Sequence, residues 1–303
     1  MPRLLKYIIY LIIFVLSFLF FLYWMFPYSI LKARVVAAIE EPFNGKVQVS
    51  IGAIEPYYFT GMSISNLELS SRDNNIDRKI AAFNQVRGRA SLFSIIFGRP
   101  NVTFYIKAGK GEIEGRARQS DDGVDLAADF DDFDISNINW FKTHLGMDLI
   151  GKITGSFKLK AGRAGITTAE GKIDLGFENI KMPATELDII GAKFPLPDLV
   201  FSKDKESRLT VQIAKGTATI DQLTLNGGDI ELDIKGKIFL SKEISNCRLN
   251  LKGSFKLSDK FAETMPFLFV IEKQKQQDGS FPLLLTGRMA SPTIKVGAFT
   301  LPL

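Results

Sequence analysis

The feature that most constrains the fold of this chain is a two-residue alternation of apolar and polar side chains, which begins near Lys46 and recurs almost to the C-terminus. Clear runs are Val47–Ile51, Val102–Ile106, Val124–Phe130, Ile173–Phe177, Leu209–Ile213 and Ile230–Ile234. Successive side chains of a strand point to opposite faces, so each run predicts a strand with one apolar face and one polar, solvent-exposed face, as in antiparallel sheets. Turn signals such as Asp122-Gly123 and Asp278-Gly279 separate the runs. The sequence therefore predicts a mainly β fold.

Few segments have the periodicity of a helix. The segment Ser29–Glu41 has apolar residues at helical spacing and is expected to cover the end of the first strands. A second short helix is predicted at Asn137–Gly146, and a third at Ser258–Lys273, with Ser258 as N-cap and a break at Pro266.

A different signal precedes the alternation. From Tyr7 to Tyr28 no residue is charged, and a run of this length can cross a bilayer as one helix. We therefore expect a transmembrane helix at 7–28. We expect four aromatic residues of this helix to contact the bilayer: Phe14, Phe18, Phe21 and Trp24. A cleaved signal peptide is the alternative, but its apolar region is usually shorter and is followed by small residues, where this chain has Trp24 to Tyr28.

The charges that flank this run predict its orientation. Arg3 and Lys6 place the tail 1–6 in the cytoplasm by the positive-inside rule, although Lys32 and Arg34 on the far side weaken the bias. The expected location is the bacterial inner membrane, with a single pass. Residues 29–303 then form a periplasmic β-rich domain.

The residues needed for most catalytic chemistry are scarce. The chain has one histidine, His144, and one cysteine, Cys247, which is too few ligands for a metal centre and excludes an internal disulfide. No nucleophile elbow or phosphate loop occurs. The acidic run from Asp121 to Asp134 lacks the calcium-loop pattern and is interpreted as a solvent face. We expect no enzyme activity and no cofactor.

The charge balance also argues against one class of partner. The net charge of +5 is too small and too dispersed for a nucleic-acid surface. The apolar face of the predicted sheet is the remaining candidate site, either as structural core or as a surface that meets lipid. Six residues represent it: Ile153, Phe157, Ile173, Leu175, Leu232 and Ile234. Alternation alone does not decide between these two roles.

The order of several short motifs resembles a known family. The motifs are Phe26-Pro27, Gly45-Lys46-Val47, Val86 to Leu92 followed by Gly98-Arg99-Pro100, Gly111 to Gly115, Gly151 to Leu159, and Leu285-Thr286-Gly287 with Pro292. In this order they resemble the type II secretion system protein N family (GspN) in its single-anchor form. The resemblance implies a non-enzymatic, inner-membrane component of the secretion apparatus that acts through contacts with other secretion-system proteins.

The same features are similar to the AsmA-like group of envelope proteins. That similarity implies an elongated, curved antiparallel sheet of the β-groove type, with a few short helices and one N-terminal transmembrane helix. It also implies an alternative function, in which the groove binds or transfers phospholipid.

Overall fold

The computed structural model describes most of the chain. The described residues are 3–24, 28–41, 47–58, 60–73, 76–91, 94, 97–138, 148–163, 165–189, 192–203, 206–264 and 268–301. Strands make up most of them, and helices are few. The prediction of a mainly β fold is therefore confirmed.

Nine strands lie in the described part of the chain before residue 190. These strands are β1 (Val47–Tyr57), β2 (Gly61–Asp73), β3 (Ile76–Ala90), β4 (Asn101–Ala108), β5 (Gly111–Ser120), β6 (Gly123–Asp134), β7 (Ile150–Gly162), β8 (Gly165–Met182) and β9 (Thr185–Ile189). The remaining strands are β10 (Ala192–Leu196), β11 (Leu199–Val200), β12 (Ser207–Ala214), β13 (Thr217–Leu225), β14 (Ile230–Phe239), β15 (Arg248–Leu257), β16 (Phe281–Arg288), β17 (Ser291–Val296) and β18 (Phe299–Leu301).

Sixteen of the described strands form one long, curved antiparallel sheet, as expected. Its order follows the chain from β1 to β8 and then from β12 to β18, so almost every strand pairs with its neighbours in sequence. β11 pairs with β8 beside this path, and β9 and β10 form a separate hairpin. Because consecutive strands are antiparallel, alternate turns lie on the same rim of the sheet.

The helices lie outside the sheet. They are α1 (Arg3–Trp24), α2 (Tyr28–Glu40), α3 (Asp259–Thr264) and α4 (Leu268–Ile271), with 3-10 turns at Ile135–Asn137, Ile244–Asn246 and Glu272–Gln274. The helix predicted at Ser29–Glu41 is confirmed as α2. The third predicted helix is confirmed in two parts on either side of Pro266, and the Ser258 hydroxyl accepts a hydrogen bond from the Phe261 N–H, as an N-cap does. Most of the helix predicted at Asn137–Gly146 lies outside the described residues.

The N-terminal segment differs in its bounds from the prediction for 7–28. The helix α1 begins earlier, at Arg3, and ends at Trp24, whereas Tyr28 is already the first residue of α2. Within the described residues, no helix combines the length and the apolarity that a membrane span requires.

One face of the sheet carries an unbroken line of residues without a polar side chain. Directly opposite residues lie on the same face of a sheet. Followed from strand to strand, the pairing gives one row, which we call the central row: Ile54, Ile64, Val86, Ile106, Ile113, Phe130, Gly155, Leu175, Leu209, Leu223, Ile234, Gly253, Leu283, Val296 and Phe299. It runs from the first strand of the sheet to the last.

The apolar face is concave. Val211, Ile220, Ile234 and Leu251 are buried, although every apolar residue packed with them in the described part comes from the sheet or its turns. Side chains on one face of a single sheet can bury one another in this way only if that face curves inward. Register shifts in β6–β7, β12–β13 and β13–β14 contribute to this shape, because bulges bend and twist a strand.

Glycines on the apolar face permit the tight curvature. A Cβ built at Gly253 would collide with the carbonyl oxygen of Asp233, and one at Gly155 with that of Asp174. Strands therefore approach one another at these points more closely than a side chain allows. The Gly-Ser-Phe-Lys-Leu sequence that begins at each of these glycines occupies β7 and β15, two strands of the same sheet.

Within β2 the apolar positions shift by one residue between Ile64 and Leu67, which by sequence alone suggests a bulge, but the structure has none there. Ile64 and Leu67 are both buried in one cluster, so the side chains do change parity. The pairing with β1, however, has the same register on both sides of this point. The change occurs at Asn66, whose φ is +51°. A single left-handed residue therefore turns the strand without adding an extra residue.

Candidate functional site

The six residues selected from the sequence lie on the apolar, concave face. Phe157 is directly opposite Ile173, and Ile153 is opposite Phe177. Leu175 and Ile234 belong to the central row, and Leu232 lies one pleat away on the same strand as Ile234. The alternation thus predicted their common face, although they are spread over three strands.

Burial separates these residues. Ile234 is 6% exposed and is part of the core, whereas the other five are only half-buried. Phe157 packs on Phe130, with ring centroids 6.2 Å apart. Half-buried apolar side chains on a concave face form a partly exposed apolar surface that a second apolar molecule can cover.

The helix α2 covers one end of this face. Val35, Val36 and Ile39 pack on the apolar cluster of β1 and β2, as predicted. Two polar contacts fix the helix: a Glu40 carboxylate oxygen accepts a hydrogen bond of 2.7 Å from the Val49 N–H, and Lys32 Nζ donates one of 3.1 Å to the Gly52 carbonyl. The helix α2 therefore covers the apolar face at β1 and β2.

A second cluster closes part of the long side of the face. Met182, Leu199 and Phe261 are buried together. Asp229 stabilises the segments that carry this cluster, because its carboxylate accepts a hydrogen bond of 2.9 Å from the Val200 N–H and one of 3.2 Å from the Ser258 hydroxyl. The connection before β12 and the helix α3 are thereby joined.

The opposite face of the sheet is polar and carries cross-strand ion pairs. Arg208 contacts both oxygens of Asp174 at 2.7 Å, and Lys152 contacts Asp132 at 2.8 Å. The hydrogen bond from Arg208 lowers the pKa of Asp174, and Lys172 adds to this effect. The acidic run is mostly exposed on this face, as the sequence predicts.

A shallow depression of about 550 Å³ lies on the polar face. Arg87, Tyr105, Glu114, Asp129 and Lys158 are among its lining residues. The Tyr105 hydroxyl donates a 2.7 Å hydrogen bond to Glu112, which raises the pKa of Tyr105. The guanidinium of Arg87 lies over the Tyr105 ring. Arg87 and Tyr105 are thus both in contact with neighbouring groups.

Groups with catalytic potential are dispersed. Among the described residues, no three His, Cys, Asp or Glu side chains are placed to hold a metal ion. His144 lies outside the described residues. Cys247 is 2% exposed just before β15, as expected of a structural thiol.

The two rims of the sheet differ in their connections. We define the hairpin rim as the turns joining β1–β2, β3–β4, β5–β6, β7–β8, β12–β13, β14–β15 and β16–β17, with the two strand residues on each side of each turn. In its described part, seven exposed residues are basic: Arg89, Arg99, Arg163, Lys215, Lys242, Arg248 and Arg288. Its described carboxylates are Asp121, Asp122 and Glu243. The sequence pattern did not predict this rim.

Aromatic residues of α1 are accessible. Phe14, Phe18 and Phe21 are exposed, and the first two are stacked. Trp24 is the last residue of α1, and its side chain lies outside the described residues.

No family model, curated protein or solved structure matches this chain. The resemblance to the GspN family and to AsmA-like proteins therefore stays a prediction.

Proposed function

We propose that this protein binds lipid, with the acyl chains lying on the concave apolar face. The central row is the observation that carries the proposal. It has no polar side chain between the two edges of the sheet, and the apolar cluster from β8 to β16 that includes it consists of described residues of the sheet and its turns. A purely structural face would be expected to meet a second apolar layer.

The dimensions suit an extended apolar ligand. The strands of the main path, at about 4.8 Å each, give a face about 65 Å long. Along β14, the apolar-face positions from Leu232 to Ile238 span about 20 Å. A long, narrow face of this kind matches an acyl chain better than a compact ligand, and its length would allow a lipid to move along it.

The energetics favour such binding. Burial of each CH2 group contributes about 0.8 kcal/mol, so ten buried groups would contribute about 8 kcal/mol. This gross value corresponds to a dissociation constant of about 1 μM, before the costs of ordering the ligand. Half-buried residues such as Phe157 and Leu285 would supply the complementary surface without unfolding of the core.

Photo-crosslinking tests the proposal on the full chain in host membranes. The photoreactive residue p-benzoylphenylalanine replaces Phe157 or Leu232 on the apolar face, and Lys158 or Asp233 as the matched neighbour on the polar face. We expect adducts with the mass of a host phospholipid at the first two positions only. Absence of these adducts, or equal yields on both faces, would contradict lipid binding by this face.

We also propose that α1 attaches the protein to the bacterial inner membrane with the β domain in the periplasm. The exposed Phe14, Phe18 and Phe21 support attachment. Sedimentation of the chain with membranes tests attachment, and a reporter enzyme fused to the C-terminus tests the side. Recovery of the chain in the soluble fraction, or a reporter active only in the cytosol, would contradict this location.

The secretion-system role that the resemblance implies remains a separate prediction. Deletion of the gene followed by an assay of exoprotein export tests it. Normal export in the deletion strain would count against that role and would leave lipid binding untouched.

A further inference from the structure

Exposed apolar side chains outside α1 collect on the hairpin rim. In the described part of the β domain, six large apolar residues are exposed. Five of them are on this rim: Tyr58, Phe97, Val124, Phe239 and Met289. Phe97 is 75% exposed and Tyr58 is 63% exposed. Single exposed apolar residues are ordinary on a protein surface, but their concentration along one rim is not.

Basic side chains accompany them. The seven exposed lysines and arginines of the hairpin rim exceed its three carboxylates, and Asp121 already pairs with Arg99. Arg89 lies over the Tyr58 ring, at 5.6 Å from its centroid. A cation beside an aromatic ring at a turn tip matches the boundary between lipid head groups and acyl chains.

One pair of charges is unfavourable without an external anion. Arg248 and Arg288 are directly opposite each other on β15 and β16, and neither forms an ion pair with a described carboxylate. Like charges at directly opposite positions destabilise a sheet. A bound phosphate group would relieve this repulsion.

The spacing of the turns along the rim indicates an extended partner. Successive turns on one rim are two strands apart, or about 10 Å, so the seven turns extend over about 60 Å. A small anion would occupy only one of them. A bilayer surface could contact all of them at once if the rim faces it.

We propose that the hairpin rim docks on a membrane surface that contains anionic lipids. The basic residues contact phosphate groups, and Phe97, Phe239 and Met289 enter the interfacial layer. This contact is independent of the cargo proposed for the apolar face, and it is distinct from attachment through α1, which precedes β1 and does not belong to the rim.

Vesicle flotation tests the docking with the full chain. The protein is held through α1 in nanodiscs of neutral phosphatidylcholine, and vesicles are added that contain either phosphatidylcholine alone or three parts of it to one part phosphatidylglycerol. We expect flotation with the anionic vesicles only. The loss of affinity should be steep at high salt.

Two triple variants with the same net charge locate the contact. The rim variant carries Lys215→Gln, Arg248→Gln and Arg288→Gln, and the control carries Lys110→Gln, Lys260→Gln and Lys273→Gln. Each basic residue near an anionic surface contributes enough that loss of three lowers affinity about 100-fold in the rim variant. The control should bind as the wild type does.

The outcomes are decisive in either direction. Lack of flotation of the wild type with anionic vesicles would overturn the proposal and favour an acidic protein as the partner of the rim. Equal affinities of the two triple variants, or equal binding to neutral vesicles, would also overturn it. The crosslinking of lipid at Phe157 does not depend on contact between the rim and a membrane. Failure of the rim proposal is therefore distinguishable from failure of the proposal that the apolar face binds lipid.

Discussion

Phe255 and Phe281 stack across β15 and β16, with their ring centroids 5.2 Å apart and their planes 18° from parallel. Phe281 is 1% exposed, and Leu232 lies directly opposite Phe255 on the other side. Phe281 is therefore a core residue, whereas its neighbours Phe255 and Leu232 on the apolar face are half-buried, as Phe157 is.

Replacement of Phe281 by alanine should destabilise the domain strongly. Truncation of a fully buried phenylalanine leaves a cavity and removes the stacked contact, which costs about 3–5 kcal/mol. The free energy of unfolding of the full chain, measured by denaturant titration in mild detergent, checks this. The control is Phe239→Ala, at a residue that is 45% exposed, where the change should stay within about 0.5 kcal/mol. Equal losses in both variants would show that Phe281 is not a core residue.

A methyl group at Gly253 should force β14 and β15 apart. The new Cβ would collide with the backbone of Asp233 and Ile234, so Gly253→Ala is expected to cost about 1–3 kcal/mol through overpacking. Gly88 provides the matched control, because a Cβ there has no heavy atom within 4 Å. Gly88→Ala should change the melting temperature little. Tolerance of alanine at Gly253 would mean that the strands are not held so closely.

The strands that the sequence predicted best are those with uninterrupted alternation, such as β4 and β12. β13 was missed because Asp221 and Gln222 are both exposed at the point where the register with β14 shifts. A bulge places two successive polar residues on a strand, which removes the period that identifies it. Asn66 has a similar effect within β2, through a left-handed backbone.

The candidate site could be predicted only in part. Alternation places Phe157 and Ile173 on an apolar face, but the central row depends on the register of every strand pair, which a sequence pattern does not specify. The hairpin rim is even harder to predict from the sequence. Tyr58 and Arg288 are separated by most of the chain and share a rim only because every intervening strand reverses direction. Exposed aromatic residues in turns were the signal that could have indicated it.

The ion pair between Arg208 and Asp174 should make stability depend on pH. The hydrogen bond from Arg208 lowers the pKa of Asp174 from its ordinary value of 3.8 in the folded state. A carboxyl group whose folded pKa is lowered stabilises the fold above the unfolded pKa and loses this contribution as the pH falls through the folded pKa. Stability should therefore fall below about pH 4, in part through this group.

Asp174→Asn tests this contribution. At pH 7 we expect the variant to be less stable by about 0.5–1 kcal/mol, the range of a partly exposed pair, and the difference from the wild type should vanish at acid pH. Unfolding titrations at several pH values measure it, and Asp122→Asn, at an exposed turn residue, is the control. A difference that persists unchanged at acid pH would exclude the ion pair as its cause.

Asp229 should control how firmly the corner formed by β11 and α3 is closed. Its carboxylate accepts hydrogen bonds from the Val200 N–H and the Ser258 hydroxyl, and its own carbonyl accepts one of 2.9 Å from the Ser258 N–H. Asp229→Ala leaves the Val200 N–H without its partner, at a cost of about 1–3 kcal/mol. Local opening should then become easier, and amide exchange of Val200 should accelerate by about tenfold or more.

Hydrogen exchange of the full chain, analysed by mass spectrometry, measures this opening. The control is Glu231→Ala, since Glu231 is exposed two residues further along the same segment. Because Met182, Leu199 and Phe261 close the long side of the apolar face beside Asp229, faster exchange should be confined to their neighbourhood and should not reach β4 or β5. Uniform acceleration over the whole sheet would instead show that Asp229 supports global stability, and the corner would then not open as a separate unit.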